Sequence, residues 1–184
     1  MSYYSREKLL EMGFKHVGIG VKVSSKASIY DCANIELGDY SRIDDFCVVS
    51  GRVTLGRNVH FAPFCLIAGG VEGIEFGDFS GCAYHVQVFS QSDDYSGETL
   101  TNPTVPEKFK SELKKKIVIG KHVIIGAGSI ILPGVTLAEG CSIGAMSLVR
   151  KSTEPWFIYL GNPAKKLKAR SQKLLELEQQ YVNS

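Results

Sequence analysis

The sequence predicts an all-β fold, a parallel β-solenoid of hexapeptide repeats, and three observations support this prediction. An apolar residue followed four positions later by a small or β-branched one occurs eighteen times, at six-residue intervals within each block. The phase continues over most of the 184 residues and resumes after every interruption. A six-residue period fits neither an α-helix nor an alternating strand, and it is typical of solenoids. At three repeats per turn, the pattern predicts about six coils.

Each repeat is expected to supply one short strand and one corner of a triangular prism. The apolar positions are Val17, Val23, Ile29, Leu37, Ile43, Val49, Leu55, Phe61, Ile67, Phe76, Cys82, Val88, Ile119, Ile125, Ile131, Leu137, Ile143 and Val149. These side chains and the small residues should fill the interior, with successive coils about 4.8 Å apart. Short strands of a sandwich, the alternative, would not keep a six-residue phase for so long.

Length and composition agree with one compact domain. With 184 residues, 44% of them hydrophobic, the chain can bury a continuous core without disulfides or a structural metal. The net charge of +2 gives no indication of a nucleic-acid partner. No apolar signal run follows residues 1–6, and no apolar stretch reaches the length of a membrane span. We therefore expect a cytoplasmic protein that does not insert into a membrane.

The five cysteines fit the same interpretation. Cys47, Cys65 and Cys141 occupy small inward positions of their repeats, Cys82 occupies an apolar position, and Cys32 adjoins an inward alanine. No C-x-x-C spacing occurs. We expect reduced cysteines that serve as small hydrophobic side chains, without disulfides or a metal site.

Both chain ends depart from the repeat. A helix is predicted over residues 3–13, with Ser5 as a possible N-cap and Gly13 as its end, and it would close the first coil. A second helix is predicted over residues 165–182, because Leu167, Leu174, Leu177 and Tyr181 recur at helical spacing. The predicted organisation is residues 1–16 as N-terminal cap helix, 17–160 as β-helix with a projecting loop at 90–116, and 161–184 as C-terminal segment and helix.

The projecting loop, called the arm below, reads SQSDDYSGETLTNPTVPEKFKSELKKK over residues 90–116. Counting repeats shows that the arm leaves after the third face of one coil and returns at the first face of the next. The phase of the solenoid is therefore preserved. Long loops inside a compact domain are usually functional or disordered, and the clean resumption of the repeat favours a functional arm.

The repeats, the arm and two motifs resemble the left-handed β-helix acyltransferases. The motifs are I-I-G-A-G-S-I-I-L-P-G-V at residues 124–135 and Y-L-G-N-P-A-K-K at residues 159–166. The resemblance covers nearly the whole chain. It is greatest for the branch that modifies sugars of bacterial surface polysaccharides, which includes nucleotide-aminosugar N-acyltransferases and sugar O-acetyltransferases. It implies a left-handed parallel β-helix, a homotrimer with active sites between subunits, an acyl-CoA donor such as acetyl-CoA, and no metal in the chemistry.

A wall poor in side chains on the second face is the predicted donor site. Ala127 and Ala145 occupy one column there, with Gly126 and Gly144 beside them. The narrow pantetheine chain of CoA could approach the backbone along this wall, although small residues could also serve coil packing alone. The resemblance places the nucleotide end of CoA near the last coil. The residues expected to meet it are Lys151, Pro163, Lys165, Lys166 and Arg170.

The opening turn of the arm carries the first catalytic candidate. Similar enzymes that acylate hydroxyl groups commonly have a histidine there, whereas residues 92–95 of this chain read S-D-D-Y. A carboxylate suits an amine acceptor, because it can attract and orient an ammonium group that needs to lose only one proton near neutral pH. We predict Asp94 as a catalytic residue and Asp93 as a substrate contact, although either could simply stabilise a turn.

Two histidines are further catalytic candidates. His85 is expected in the middle of the second face near the thiol end of the donor, and His60 is expected at the corner between the first and second faces, stacked between Arg42 and Gly81. The remaining predicted substrate contacts are Tyr84, Arg42 and Asp45. The last two belong to the charged cluster R-I-D-D-F, which also contains Asp44 and could instead join subunits.

The predicted function is N-acylation of a nucleotide-linked amino sugar for O-antigen, capsule or other surface polysaccharide. A sugar O-acetyltransferase is the alternative, and a non-catalytic solenoid scaffold is the less favoured one. A zinc carbonic anhydrase would need three histidines with two closely spaced on neighbouring turns, and the spacing of His60, His85 and His122 does not provide them.

Overall fold

The computed structural model describes residues 2–183 and confirms the parallel β-solenoid. Its helices are α1 (Arg6–Glu11) and α2 (Leu174–Val182). The strands are β1 (His16–Val17), β2 (Lys22–Val23), β3 (Ser28–Ile29), β4 (Ile35–Leu37), β5 (Arg42–Ile43), β6 (Val48–Ser50), β7 (Val53–Leu55), β8 (His60–Phe61), β9 (Leu66–Ala68), β10 (Ile74–Phe76), β11 (Gly81–Cys82), β12 (Gln87–Phe89), β13 (Gln91–Ser92), β14 (Leu113–Lys114), β15 (Ile117–Ile119), β16 (Ile124–Ile125), β17 (Ile130–Ile131), β18 (Thr136–Leu137), β19 (Ser142–Ile143), β20 (Leu148–Val149), β21 (Phe157–Leu160) and β22 (Lys165–Ala169).

Three sheets form the three faces of the prism. The first contains β1, β4, β7, β10, β15 and β18, the second begins with β2, β5, β8, β11, β16 and β19, and the third contains β3, β6, β9, β12, β17 and β20. All neighbouring strands in these series pair in parallel. The register places apolar repeat positions opposite one another, as in Leu37↔Leu55 and Phe76↔Ile119. The sequence repeat therefore determines the register throughout the six coils.

The core is a column of apolar side chains inside the prism. Seventeen of the eighteen apolar repeat positions are buried, the exception being the half-buried Ile29 of the first coil. Cys47, Cys65, Cys82 and Cys141 are buried and free, and Cys32 is half-buried and free. Burial raises the pKa of the Cys82 thiol, which favours its neutral form.

Both predicted helices prove shorter than expected. Helix α1 begins after Ser5, whose Oγ accepts a hydrogen bond from the Lys8 N–H (3.2 Å). Tyr3 lies outside the helix and pairs with Ser24 at the edge of the second sheet. The buried Leu9 closes the first coil, as an N-terminal cap should.

The C-terminal helix begins at Leu174, so the prediction of a helix from residue 165 was wrong. Residues 165–169 form β22, which pairs antiparallel with β21. Strand β21 itself extends the second sheet by a seventh parallel strand that the repeat count did not include. Its far edge offers unpaired backbone groups, and pairing with them overrides the local helical pattern. Within residues 2–183 no helix is long and apolar enough to cross a membrane.

The arm leaves the third sheet after β12 and returns to the first sheet at β15, as the repeat count predicts. Its base is an antiparallel pair, β13 with β14. A single 3-10 turn covers Glu107–Phe109, and Leu100 bridges to Lys110. The solenoid stays in register across this insertion because β10 pairs directly with β15.

Candidate functional site

The second sheet carries a charged cluster on its early coils, called the polar half below and consisting of Arg42, Asp44 and His60. Arg42 and His60 are neighbours in register on β5 and β8. His60 therefore lies on a strand of the second face, and the prediction of a corner position was wrong. The Asp44 carboxylate accepts hydrogen bonds from Arg42 Nε (2.6 Å) and Nη2 (3.1 Å), and lies 2.8 Å from His60 Nε2. The Tyr3 hydroxyl also donates to Asp44 Oδ1 (3.2 Å). Four donor atoms from three side chains therefore converge on one carboxylate.

Asp44 is nearly inaccessible, whereas its two cationic neighbours reach solvent. Its side chain is 3% exposed, against 40% for Arg42 and 46% for His60. Although burial raises its pKa, hydrogen bonds from Arg42 and His60 bring the pKa of Asp44 below its usual value. Burial and the Asp44 charge raise the pKa of Tyr3. The cluster thus holds an ionised carboxylate beneath two partly exposed nitrogen groups.

Asp45, the other acidic residue of this cluster in sequence, faces the first coil. Its carboxylate accepts a hydrogen bond from the Ser24 hydroxyl and forms an ion pair with Lys26 (3.5 Å). The hydrogen bond from Ser24, together with Lys26, lowers the pKa of Asp45. Ser24 and Lys26 both belong to this chain, so they give no information about a substrate. The role of Asp45 as a substrate contact stays a prediction.

The later coils of the same sheet form a contrasting surface, called the bare half below and consisting of Gly126, Ala127, Gly144 and Ala145. The four residues follow β16 and β19, and the Met146 N–H donates to the Ala127 carbonyl (2.8 Å), which stacks the two alanines in one column. Ala145 is exposed and Ala127 half-buried. This surface has the shape that was predicted for the binding site of the acyl-CoA donor.

Coil packing explains one of the two glycines of the bare half. A Cβ atom at Gly126 would lie 2.5 Å from the Ala145 nitrogen, and one at Gly144 would lie 2.5 Å from Leu160 Cδ1. The contact at Gly126 is with backbone, so the stacking of the coils requires glycine there, whereas the contact at Gly144 is with the end of a side chain that can rotate away. Of the four residues, Gly126 is the one whose small size coil packing requires.

His85 lies at a corner of the prism, so the prediction of a mid-face position was wrong. Its backbone is left-handed (φ 59°), between β11 and β12. Its ring stacks on Phe64 with 4.8 Å between centroids, and Phe64 stacks on Phe46 at 5.0 Å. Tyr84 precedes it, is 58% exposed, and belongs to the same column as Ala127. Tyr84 and His85 therefore do close the bare half at its early end.

The residues predicted for the nucleotide end of CoA have different surroundings. Lys151 is exposed on the last coil. Lys165 and Lys166 lie on β22, and Lys166 pairs with Glu154 (2.7 Å) while its Nζ lies 3.5 Å from the Phe157 ring centroid.

Pro163 lies in the turn before β22. Arg170 follows that strand, and its guanidinium binds the protein's own backbone. Its Nη1 donates to the carbonyls of His122 (2.7 Å), Gly140 (2.9 Å) and Cys141 (3.2 Å), and burial lowers its pKa. Three backbone carbonyls thus take the place of the phosphate that was expected for this guanidinium.

Asp94 organises the opening turn of the arm. Its carboxylate accepts hydrogen bonds from the Ser96 N–H (2.8 Å), the Thr99 N–H (3.1 Å) and the Thr99 hydroxyl (2.9 Å). Hydrogen bonds from Ser96 and Thr99 lower the pKa of Asp94 to about 2. The carboxylate is half-buried, ionised at neutral pH and therefore a fixed negative charge in the arm.

Asp93 has a different position from its neighbour. Its Oδ1 accepts a hydrogen bond from the Asn102 N–H (3.2 Å). It lines a cavity of about 320 Å³ at the base of the arm, together with Phe89, Gln91 and Tyr95 among others. Asp93, rather than Asp94, therefore faces an open space large enough for part of a ligand.

The structure brings together some predicted site residues and leaves others apart. Arg42 and His60 meet through Asp44, and Tyr84 shares a column with Ala127. The arm leaves from the third sheet, and in the part of the chain that is described no hydrogen bond or ion pair joins the two arm aspartates to either candidate histidine.

From the sequence, Asp44 was named only as a member of the charged cluster, without a role of its own, and Tyr3 was assigned to the helix. The doublet Asp44–Asp45 was visible in the sequence, but only the structure shows which carboxylate is buried. Among residues 2–183 no cluster of three or more His, Cys, Asp or Glu side chains could hold a metal ion.

Comparison with known proteins identifies the family. Residues 116–151 match the family described as bacterial transferase hexapeptide (six repeats). The chain is 43% identical over 187 residues to an Escherichia coli dTDP-4-amino-4,6-dideoxy-D-glucose acyltransferase, covering 100% of this chain and 97% of that protein. The chain belongs to the hexapeptide-repeat acyltransferases, and it is an acyl-CoA-dependent enzyme.

Solved structures place it within that family. AntD, an N-acyltransferase from Bacillus cereus solved with dTDP-4-amino-4,6-dideoxyglucose and coenzyme A, is 45% identical with a TM-score of 0.97, covering 99% of this chain and 97% of AntD. A maltose O-acetyltransferase from Clostridium difficile 630 is 26% identical with a TM-score of 0.59, covering 91% of this chain and 75% of that one. The predicted likeness to the nucleotide-aminosugar branch is confirmed, and likeness to the O-acetyltransferase is weaker.

Proposed function

We propose that this enzyme transfers an acyl group from acyl-CoA to the amino group of dTDP-4-amino-4,6-dideoxy-D-glucose or a closely related nucleotide-linked amino sugar. One observation carries the proposal: AntD, solved with that sugar nucleotide and coenzyme A, matches 99% of the chain with a TM-score of 0.97. The match therefore includes the arm and both chain ends as well as the repeats. The nitrogen attacks the thioester carbonyl, a C–N bond forms, the C–S bond breaks, and CoA leaves as the thiol.

The bare half is the proposed donor surface. The exposed column of Ala127 and Ala145 leaves room for the pantetheine chain beside backbone amides, and Tyr84 marks the end where the thioester would lie. Lys151, Lys165 and Lys166 lie exposed near the last coil and supply positive charge for the phosphates. Gly126 and Gly144 contribute by keeping the wall flat, and coil packing requires glycine at the first of these positions.

Asp94 is proposed to attract and orient the substrate ammonium group. A carboxylate with a pKa of about 2 remains ionised at neutral pH but is a weak base. Its contribution is therefore charge and position, and a different group must take the proton. Asp93 is proposed as a contact of the sugar or nucleotide in the cavity at the base of the arm. Arg42, Asp45 and Tyr84 remain proposed contacts of the acceptor, and His60 and His85 proposed proton acceptors.

A homotrimer with sites between subunits is proposed as the assembly. The bare half and the cavity beside Asp93 are both open on one side, and a neighbouring copy would complete them. Multi-angle light scattering should give three times the monomer mass of 20.1 kDa at micromolar concentration. A stable monomer that retains full activity would contradict this assembly.

The proposed setting is surface-polysaccharide synthesis in the cytoplasm. Acyl-CoA and nucleotide sugars are the substrates, and five free cysteines suit a reducing compartment. The acylated sugar nucleotide would then serve a glycosyltransferase, the class of enzyme that consumes activated sugars.

The test of this function compares amine and hydroxyl acceptors with matched arm variants. Wild-type enzyme should acylate dTDP-4-amino-4,6-dideoxyglucose and leave its 4-hydroxyl counterpart unmodified. Asp94→Asn preserves the shape of the side chain but removes its charge, so turnover of the amine should fall by about 10²-fold or more while CoA affinity barely changes. Asp93→Asn, the adjacent matched control, should mainly raise the KM for the acceptor.

Two results would overturn parts of this proposal. Faster acylation of the hydroxyl acceptor would favour the O-acetyltransferase function. Full activity of Asp94→Asn toward the amine would remove Asp94 from the site.

A further inference from the structure

The position of Asp44 in the repeat is unusual. The residues that directly follow the apolar position on the second sheet are Ser24, Asp44, Ala62, Ala83, Gly126 and Gly144. Asp44 is the one charged member of this series, and it is 2% exposed. Burying a carboxylate costs free energy unless it is paired, and a small neutral residue serves the other coils at this position. Coil packing therefore does not explain the aspartate.

The geometry of Asp44 fixes the chemical form of His60. An ionised carboxylate can only accept, so the contact of 2.8 Å requires that His60 Nε2 carry the proton. In the neutral imidazole, Nδ1 then bears the lone pair. No hydrogen-bond partner for Nδ1 is found in residues 2–183, and the side chain is 46% exposed. The carboxylate thus orients the ring and leaves one basic nitrogen available.

The neighbouring coil places no side chain directly beside His60. The residue next to His60 in register is Gly81, which has no side chain to fill the gap. Ala83 and Tyr84 follow Gly81 on the same coil. The next coil carries the exposed Ile124 in register with Gly81, and the bare half begins two residues later at Gly126. An amine bound over Gly81 would therefore lie between His60 and a donor on the bare half.

We propose that Asp44 is a positioning residue which holds His60 so that Nδ1 accepts the proton of the attacking amine. This inference rests on the function proposed above. The bound ammonium group first releases one proton to solvent, which gives the free amine. After the amine nitrogen has added to the thioester carbonyl, one N–H proton passes to His60 Nδ1. The C–S bond then breaks, and the imidazolium returns the proton to the thiolate of CoA. Asp44 keeps its charge throughout and stabilises the imidazolium while it exists.

The surroundings favour a proton acceptor over a phosphate site. Arg42 already donates through Nε and Nη2 to Asp44, so the two charges offset each other. The other charged or titratable groups nearby are Tyr3, which donates to Asp44, together with Asp45, Lys26 and Lys22. Asp45 and Lys26 also pair with one another. The three cations and two carboxylates of this site sum to one positive charge, which is little for a diphosphate.

The test measures kcat, KM and the pH profile of His60→Ala and Asp44→Asn. Both variants should lose about 10²-fold or more in kcat, with the KM for acyl-CoA little changed. The acid limb of the wild-type pH profile should be absent in His60→Ala. Added imidazole should partly restore that variant, because it can enter the space left by the ring. Imidazole should not restore Asp44→Asn, where the ring of His60 still occupies the position.

Two matched controls separate positioning from folding. His16→Ala removes an exposed histidine from β1 of the first sheet and should leave kcat and the pH profile unchanged. Tyr3→Phe removes another hydrogen bond to Asp44 while keeping His60, and kcat should stay within about twofold. A loss of kcat in Tyr3→Phe equal to that in Asp44→Asn would show that Asp44 acts through the fold alone, and would overturn the inference.

The experiment distinguishes failure of this inference from failure of the proposed function. If His60→Ala keeps wild-type kcat and the wild-type pH profile, His60 is not the proton acceptor although the enzyme acylates the amine. If wild-type enzyme acylates no nucleotide-linked amino sugar with acetyl-CoA or a longer acyl-CoA, the proposed function itself is wrong.

Discussion

The two halves of the second sheet share one backbone but have opposite surfaces. The polar half buries an ionised carboxylate among Arg42, His60 and Tyr3. The bare half has no side chain larger than that of Ala127 or Ala145. Because the inward residues of every coil meet the same packing requirement, the repeat leaves the outward positions free to differ. A uniform solenoid can therefore present acceptor chemistry and a donor surface side by side.

The two halves also depend on different physical terms. In the polar half, stability comes from pairing charges that would be costly to bury separately. In the bare half, it comes from close approach of backbones, as the 2.5 Å between a Cβ at Gly126 and the Ala145 nitrogen shows. Substitutions in the bare half should therefore change acyl-CoA affinity or coil packing, and substitutions in the polar half should change the pH dependence of stability.

The largest effect is expected from Ala145→Trp. The exposed indole would fill the bare half without entering the core, so acyl-CoA affinity should fall by about 100-fold or more. Titration calorimetry measures this, and the midpoint of thermal unfolding should not move. Thr136→Trp adds the same bulk to an exposed position of β18 on the first sheet and should leave affinity intact. Unchanged affinity in Ala145→Trp would separate the donor from the bare half.

Gly126→Val should destabilise the fold by about 2–3 kcal/mol, because its Cβ would collide with the backbone of the next coil. Urea unfolding gives the free energy. Ala127→Val, one residue further along the outward surface, should change the free energy of unfolding by no more than about 0.5 kcal/mol. An equal loss in the free energy of unfolding in both variants would show that contact with the next coil is not what makes Gly126 sensitive.

Asp44→Asn should destabilise the protein at neutral pH by about 1–2 kcal/mol, a value reduced by the partial exposure of Arg42 and His60. The pKa of Asp44 is lower in the folded state than its usual value. Its contribution is therefore complete above the unfolded-state pKa of about 3.9 and is lost as the pH falls through the lower folded value. Wild-type stability should fall more steeply than that of Asp44→Asn below about pH 4. Parallel curves would show that the carboxylate is not stabilised as described.

The smallest effect is expected from the double substitution Lys165→Ala with Lys166→Ala. Loss of two exposed charges should weaken acyl-CoA binding about three- to tenfold and reduce its salt dependence. The Lys166–Glu154 pair is exposed, so stability should change by less than about 0.5 kcal/mol. Lys168→Ala on the same strand is the control. Unchanged acyl-CoA binding in the double variant would place the phosphates of CoA elsewhere.

The strands were predictable because the repeat expresses their packing directly. Val17, Leu37 and Leu55 follow one another in register on the first sheet as the hexads require. The exit and return of the arm were predictable for the same reason, since both depend on counting. The prediction of a helix from residue 165 was wrong because Lys165–Ala169 pair with the free edge of β21 as a strand. A local sequence pattern does not show where such an edge lies.

The candidate site was predictable in its residue types and less so in its geometry. The column of Ala127, Ala145 and Tyr84 follows from the repeat alone, and the structure reproduces it. The corner position of His85 was missed because a left-handed residue with a ring that stacks on Phe64 has no signature in spacing. The roles of these residues stay predictions until the variants are measured.

The sequence by itself determined the solenoid, its register, the point where the arm leaves and the small-residue column, because a six-residue period specifies which side chains must lie inside. The tertiary structure decided which of two adjacent aspartates is buried, which nitrogen of His60 is available, and that Arg170 binds three backbone carbonyls. These outcomes depend on contacts between coils that are distant in sequence, where burial and hydrogen bonding set charge and tautomer. The repeat therefore determines the position of each residue in the solenoid, and the residues of neighbouring coils determine its charge and hydrogen bonding.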